Sequence, residues 1–414
     1  MKIVHINTDA SRGGAAIAAR RLCEAMCNAD IDAKLLTLYG TPDKFTIISD
    51  YQRIALAKKK HWQKIKHIMN RLIMKRVAWH WLGKGYDVSD MPMIKNADII
   101  YIHWINEFLD LNSIQALLNL GKPVIWYMHD MWPITGGCHH SFGCLGYESK
   151  CKGCPQLNLL RFLSANTLKK KKHLISKYSN LIPVAPSQWL TNCVRHSVLF
   201  KNRNVYCIPN VIDTEQFIPQ DKKYARASLG LPPSKKLVLF SAMSTKDPHK
   251  GGSYLVKTLE LLSDMDYEYV VVGRCDINAF PDRLKKKIHL IGFVSEIKKM
   301  ISVYNAVDVL LITSMADNFP NVVIEAMSCG VPVVGFATGG IKDQIRHQWN
   351  GWIVEPRDVE GLVEGVKWVL EDADYQKLCS HARSYVEDTC SYKHVLEMHR
   401  PILEYAYNSV DISK

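Results

Sequence analysis

The apolar positions of this chain fall in short unbroken runs, set apart by longer stretches of helical periodicity. The runs Lys2–Asn7, Asp32–Tyr39, Asp98–Ile105, Pro123–Asp130, Leu181–Ser187 and Val205–Asn210 predict strands. Gly13–Cys27 predicts the first helix among them. A stretch near 212–235, with Pro219, Pro232 and Pro233, predicts a linker and a short helix. The alternation then restarts, with strands at Lys236–Met243, Tyr267–Gly273, Ile288–Gly292, Val307–Thr313 and Pro332–Ala337. Helices at Ser295–Ala306 and Val322–Gly330 lie between them, and Ser391–Asn408 closes the pattern as a helix. Two successive β/α series predict an α/β chain of two doubly wound, Rossmann-like domains. Such sheets bind ligands outside the carboxyl ends of their strands, so two of them facing each other would form a cleft. The expected boundaries are 1–215, with a Cys-rich insertion at 136–157, and 216–390; the helix in 391–414 is expected to pack back on the first domain.

Composition narrows the partners. Apolar residues make up 47% of the 414 residues and charged residues 22%, which excludes a disordered or collagenous chain. No apolar run reaches the ~18 residues of a membrane span, and the N-terminus turns polar too early for a signal peptide. Twelve cysteines without an export signal point to a reducing, cytoplasmic setting. A net charge of +13 is compatible with nucleic acid, an anionic membrane face or a phosphorylated small molecule. From Arg53 to Lys84 there are ten Lys/Arg and no acid, with Trp62, Trp79 and Trp81 interspersed and Ile65, Met69, Leu72 and Ile73 at helical spacing. That pattern predicts a basic amphipathic helix suited to an anionic membrane surface, the alternative being a helix that covers the first domain. Lys169–Lys172 forms a second basic patch.

Three places carry candidate chemistry. Gly13 and Gly14 open a helix directly after a strand, where a phosphate could approach unpaired amides. In Asp317-Asn-Phe-Pro-Asn-Val-Val-Ile-Glu325 a polar loop leads into a helix at Pro320, leaving the amides of Asn321 to Val323 to meet an anion. Glu325 stands among apolar neighbours and needs a partner, which a pair of sugar hydroxyls could supply. The third place is Cys138, Cys144, Cys151 and Cys154, the last two a C-x2-C knuckle suited to a structural Zn²⁺. Free thiols are the alternative there, and His139 or His140 could replace one cysteine. Asp30/Asp32, Asp264/Asp266 and Asp372/Asp374 have D-x-D spacing but fall at connections, and are expected to be solvated.

Asp317 through Val334, followed by Ala337-Thr-Gly-Gly-Ile-Lys-Asp343 and Asn350-Gly-Trp-Ile-Val354, resembles the donor-site signature of glycosyltransferase family 4, the glycosyl transferases of group 1. These are retaining enzymes of GT-B fold that use nucleotide sugars. The resemblance continues at Gly13-Gly14, His129-Asp130, Ala185-Pro-Ser-Gln-Trp189 and Ile208-Pro-Asn-Val-Ile-Asp213, and is strongest from Ile288 to Pro356. It implies that Glu325 binds the donor ribose, and that Asp317, where the family usually has glutamate, faces the transferred sugar. Asn318, Phe319, Asn321 and Val322 would meet the diphosphate and sugar, and Gly13 and Gly14 would border a phosphate. His129 would contact the transferred sugar. Lys250 matches one family cation; the partner arginine is missing, and Lys246 is the candidate substitute.

The implied activity is a hexosyltransferase-type transfer from a UDP- or GDP-sugar to a glycan, the basic helix suggesting a lipid-linked one. It would serve cell-surface polysaccharide synthesis (capsule, exopolysaccharide or lipopolysaccharide) from the inner face of the cytoplasmic membrane, without a catalytic metal. A sugar-nucleotide epimerase or phosphorylase of the same fold is the alternative. A zinc-dependent nucleic-acid binder is a distant one, because no recognition helix accompanies the cysteines.

Overall fold

The computed structural model describes residues 1–57, 79–80, 83–244 and 247–411. The chain divides into one unit of Met1–Asn210 with Leu396–Lys414, and a second of Val211–Val395. The first holds seven strands, β1 Lys2–Asp9, β2 Asp32–Tyr39, β3 Thr46–Ile48, β4 Ile99–Ile102, β5 Val124–Tyr127, β6 Leu181–Ala185 and β7 Tyr206–Cys207, in the order β3-β2-β1-β4-β5-β6-β7. The second holds β8 Lys236–Ser244, β9 Tyr267–Arg274, β10 Ile288–Gly292, β11 Val309–Ile312, β12 Val333–Phe336 and β13 Gly351–Val354, in the order β10-β9-β8-β11-β12-β13. All of these pairings are parallel.

Parallel sheets are covered on both faces, so their strands read as continuous apolar runs. Every residue of β4, β5, β6, β11 and β12 is buried. In the second unit the two faces pack into separate cores, Leu237, Leu239 and Val270 on one side and Val238, Tyr269 and Val271 on the other, as alternation along a strand requires. The expected strand Val205–Asn210 shrinks to the two residues of β7, an edge strand paired only with β6. The last helix, Tyr392–Asp411, runs through Pro401, and from Leu396 onward it belongs to the first unit.

Each sheet order reverses once, between β1 and β4 in the first unit and between β8 and β11 in the second. At such a reversal the loops leave in opposite directions and open a crevice at the carboxyl ends of the strands. Most of the candidate residues lie at or beside these two places. The basic stretch is an exception: residues 58–78 and 81–82, Trp62, Trp81 and the helical quartet included, lie outside the described residues. Lys246 lies outside them too.

Candidate active site

In the second unit, the turn Asp247–Gly251 comes after β8 in the chain and the loop Thr313–Pro320 directly after β11. Thr313 Oγ1 donates to the carbonyls of Lys250 (2.9 Å) and Gly251 (3.1 Å), and the Met315 amide donates to the His249 carbonyl at 2.7 Å. A third loop, after β12, closes on the second: Thr338 Oγ1 donates to the Ser314 carbonyl at 2.6 Å and the Gly340 amide to the Asp317 carbonyl at 3.2 Å. Gly339 has φ +56°, and a Cβ there would stand 1.9 Å from the Asp317 carbonyl oxygen. Left-handed backbone and main-chain contact together demand glycine. Gly339→Ala is expected to cost about 2–4 kcal/mol in a denaturant melt; a loss under about 0.5 kcal/mol would show that the loops are not knit in this way.

Lys250 Nζ meets Asp317 Oδ2 at 2.5 Å inside this knot, and the Asn318 amide donates to Asp317 Oδ1 at 3.1 Å. Burial alone would drive the Lys250 ammonium down, but the adjacent Asp317 carboxylate outweighs it and the pKa rises. The sequence set Lys250 and Asp317 in separate roles; the structure makes them one ion pair. Phe319 is 7% exposed and packs in the same apolar core as Val323 and Ile324. Any contact it offers a ligand therefore comes from its main chain.

The helix Asn321–Ser328 starts one residue after Pro320. Of the amides expected to be free there, that of Val323 is taken: it donates to the Pro320 carbonyl at 3.1 Å. Asn318 and Asn321 are buried and Val322 is half-buried. Glu325 is 6% exposed, and Tyr304, wholly buried on the helix Ile297–Ala306, donates its hydroxyl to Glu325 Oε2 at 2.6 Å. Sequence reading identified the carboxylate's need of a partner and missed this one. A tyrosine in a neighbouring helix gives no spacing signal.

In the first unit, Gly13 (φ +95°) caps the helix Gly14–Asn28. The turn before it is held by Asp9 Oδ1, which accepts the amides of Ser11 (3.1 Å) and Arg12 (2.8 Å). Across the β1/β4 reversal the Trp104 amide donates to Asn7 Oδ1 at 2.9 Å, and Thr8 Oγ1 donates to the Asn106 carbonyl at 2.8 Å. His129, just past β5, does not stand alone. Its Nε2 is 2.9 Å from His103 Nδ1, and His103 Nε2 is 3.0 Å from His5 Nδ1. Burial pushes His5 down to about 3, His129 to about 4, and His103 well below the ordinary range. The next residue, Asp130, begins a second chain: Oδ2 lies 2.6 Å from His139 Nδ1, and His139 Nε2 lies 2.7 Å from His80 Nδ1. Burial favours the protonated Asp130, yet its contact with His139 prevails and holds it at about 2. His139, a candidate metal ligand in the sequence, is thus engaged by a carboxylate.

Cys138, Cys144, Cys151 and Cys154 are free thiols around one small cavity. Among the described residues, however, no three His, Cys, Asp or Glu side chains are gathered closely enough to hold a metal ion. In this geometry the four cysteines line the cavity as thiols, the alternative to a closed zinc site. Other contacts hold the loop: Thr135 Oγ1 donates to the Cys138 carbonyl at 2.6 Å, and the Gly146 amide to Cys144 Sγ at 3.4 Å. Beside them Lys171, read from sequence as part of a surface patch, is wholly buried; its Nζ donates to the carbonyls of Trp132 and Thr135, and burial brings it down to about 7. The six aspartates at D-x-D spacing are all exposed.

The sequence profile of the family Glycosyl transferases group 1 matches residues 221–387, the span that contains the knotted loops, Lys250, Asp317 and Glu325. Over that span, which lies in the second unit, the chain is similar to the group 1 glycosyl transferases. The Escherichia coli (strain K12) protein named as colanic acid biosynthesis glycosyl transferase WcaC is 23% identical over 88% of this chain and 90% of its own. Among solved structures, Anabaena Alr3699/HepE in complex with UDP aligns with 98% of this chain and 99% of its own, with a TM-score of 0.64 and 16% identity. The lipopolysaccharide outer core galactosyltransferase WaaB, in its apo form, aligns with 98% of this chain and 100% of its own, with a TM-score of 0.56 and 14% identity. The chain has the GT-B fold. No helix among its described residues is long and apolar enough to cross a membrane.

Proposed function

We propose that this chain is a retaining, family 4 hexosyltransferase, working without a catalytic metal, that moves a sugar from a nucleotide diphosphate donor, UDP- or GDP-linked, to a glycan acceptor. The names of two relatives support a cell-surface polysaccharide setting, WcaC being named for colanic acid biosynthesis and WaaB for the lipopolysaccharide outer core; the acceptor we infer is a lipid-linked glycan of such a polymer. Such a substrate places the enzyme at the inner face of the cytoplasmic membrane, where the basic stretch around residues 53–84 would meet anionic lipid.

The observation that carries the reading is the Lys250–Asp317 pair set in three interlocked loops at the β8/β11 reversal, with buried Glu325 on the helix that follows. Breaking the anomeric bond leaves negative charge on the departing diphosphate. A preorganised ammonium stabilises that charge more in the transition state than in the ground state. Lys250 supplies the cation, and Asp317 keeps it protonated and aimed until the donor arrives. Asn318, Asn321 and Val322 offer main-chain and amide contacts to diphosphate and sugar. Glu325, with one oxygen already held by Tyr304, accepts hydrogen bonds from the ribose. Within the first unit, taken by itself, Gly13 and Gly14 would border a phosphate and His129 would meet a sugar. The acceptor hydroxyl attacks from the face that the diphosphate leaves, and the departing phosphate takes its proton.

The test is incubation of the purified protein with a panel of UDP- and GDP-sugars, following release of nucleotide diphosphate with and without extracted lipid-linked glycans. One donor is expected to be consumed in an acceptor-dependent way, with retention at the anomeric carbon. Binding of no nucleotide sugar, or release of sugar nucleotide epimers instead of a diphosphate, would overturn the reading.

A further inference from the structure

The three imidazoles of His5, His103 and His129 form a single hydrogen-bonded file across β1, β4 and the end of β5, and the file has a direction. All three are held uncharged by burial, so each ring carries one hydrogen on its two nitrogens. Each link has a nitrogen at both ends, 2.9 Å apart between His129 Nε2 and His103 Nδ1, and 3.0 Å apart between His103 Nε2 and His5 Nδ1. Each link needs one hydrogen, so only two arrangements satisfy both. In one, every ring donates through Nδ1: His5 to His103, and His103 to His129. In the other, every ring donates through Nε2: His129 to His103, and His103 to His5.

The far end of the file decides between them. His5 is 0% exposed and its Nε2 has no hydrogen-bond partner. In the second arrangement this nitrogen would carry a hydrogen with nothing to receive it. An orphaned buried N–H is rarer and costlier than a buried lone pair, and the bias amounts to about tenfold or more in population. The groups packed around the file do not reverse this. Tyr101 stacks on His5 with ring centroids 4.7 Å apart, and its hydroxyl is engaged with His399 Nδ1 at 3.0 Å. Tyr127 lies against His103 and His129, and its hydroxyl donates to the Ile208 carbonyl at 2.8 Å. Asp130, the carboxylate that acts on His129, is paired with His139.

We propose that His103 and His5 are positioning residues that fix His129 in one tautomer, with its Nε2 receiving a hydrogen bond and its Nδ1 carrying the hydrogen. His129 then meets a sugar hydroxyl or ring oxygen as a neutral donor, fixed in orientation, and does not act as a general base. This rests on the proposed function only in naming a sugar as the group that His129 meets; the tautomer itself follows from the file.

Side-chain ¹⁵N NMR of the full chain, with His129→Asn to assign the resonances, reads the tautomer directly. The expected result is a protonated Nδ1 and a bare Nε2 on His129 near neutral pH. A proton on Nε2, or a His129 that takes up a proton near pH 6.5, overturns the proposal. Kinetics add a readout that a merely structural role would not move. His103→Leu should lower kcat about tenfold with the donor KM within about twofold, and His103→Asn, whose amide N–H takes the place of Nδ1–H, should recover most of the loss. Equal losses in both variants count against it, and the wild-type spectrum decides the matter should His103→Leu fail to fold. Absence of any nucleotide-sugar turnover in the wild type would instead overturn the proposed function and leave the tautomer standing.

Discussion

Lowering the pH from 7 to 5 is expected to cost the first unit roughly 5–6 kcal/mol of folding stability from three histidines alone, enough to bring a typical domain close to its midpoint. The sign follows from proton counting. His5 and His399 are brought to about 3 and His129 to about 4, each mainly by burial, against an ordinary value of 6.5. Between the depressed and the ordinary values the unfolded chain binds protons that the folded chain refuses. Stability is therefore complete above about pH 6.5 and falls as the pH drops toward 4. Each of the three contributes on the order of 2 kcal/mol over this interval, and His103, lowered well below the same reference, adds to it in the same direction. Chemical denaturation at pH 7, 6 and 5, followed by the fluorescence of Trp126 and Trp132, should show this loss. A first-unit transition that does not move between pH 7 and pH 5 would mean that these rings accept protons in place.

Replacing Glu325 should have the largest effect on the reaction. Glu325→Ala is expected to raise the donor KM about 100-fold, as two hydrogen bonds from a ribose to a charged acceptor are lost at about 1.5 kcal/mol each. Glu325→Gln separates the causes. It keeps an oxygen for the Tyr304 hydroxyl, which now lies 2.6 Å from Oε2, and it removes only the charge, so a rise of about tenfold is expected. Titration of UDP and GDP against both variants checks the order. Affinities equal to wild type in both would remove Glu325 from the site.

The sequence carried the alternation, because a strand buried on both faces can be written only in apolar residues. Ile288–Gly292 was legible to the residue, and β11 and β12 to within one or two residues at either end. The pair of sheet reversals was legible only as a class of fold, since strand order depends on crossings that no single segment encodes. At the site, Asp317, Lys250 and Glu325 were visible as residue types at telling positions. Their actual partners were hidden, because Lys250 meets Asp317 across 67 positions and Tyr304 meets Glu325 across 21. The histidine file shows the same limit. His5 lies within β1, His103 just past β4 and His129 just past β5, and no spacing in the sequence links the three. The cysteines were legible as a cluster because their spacing is local, and the structure brings all four around one cavity.

The first unit borrows its final piece from the far end of the chain. Leu396–Lys414 completes it, and His399, Ile402 and Ala406 are shut inside, with His399 against Tyr101 and Tyr127. On a ribosome, all of Val211–Val395 must be made before that plug exists, which takes on the order of ten seconds or more. Through that interval the nascent first unit waits with an open seam. The second unit, contiguous in the chain, is the one equipped to finish first.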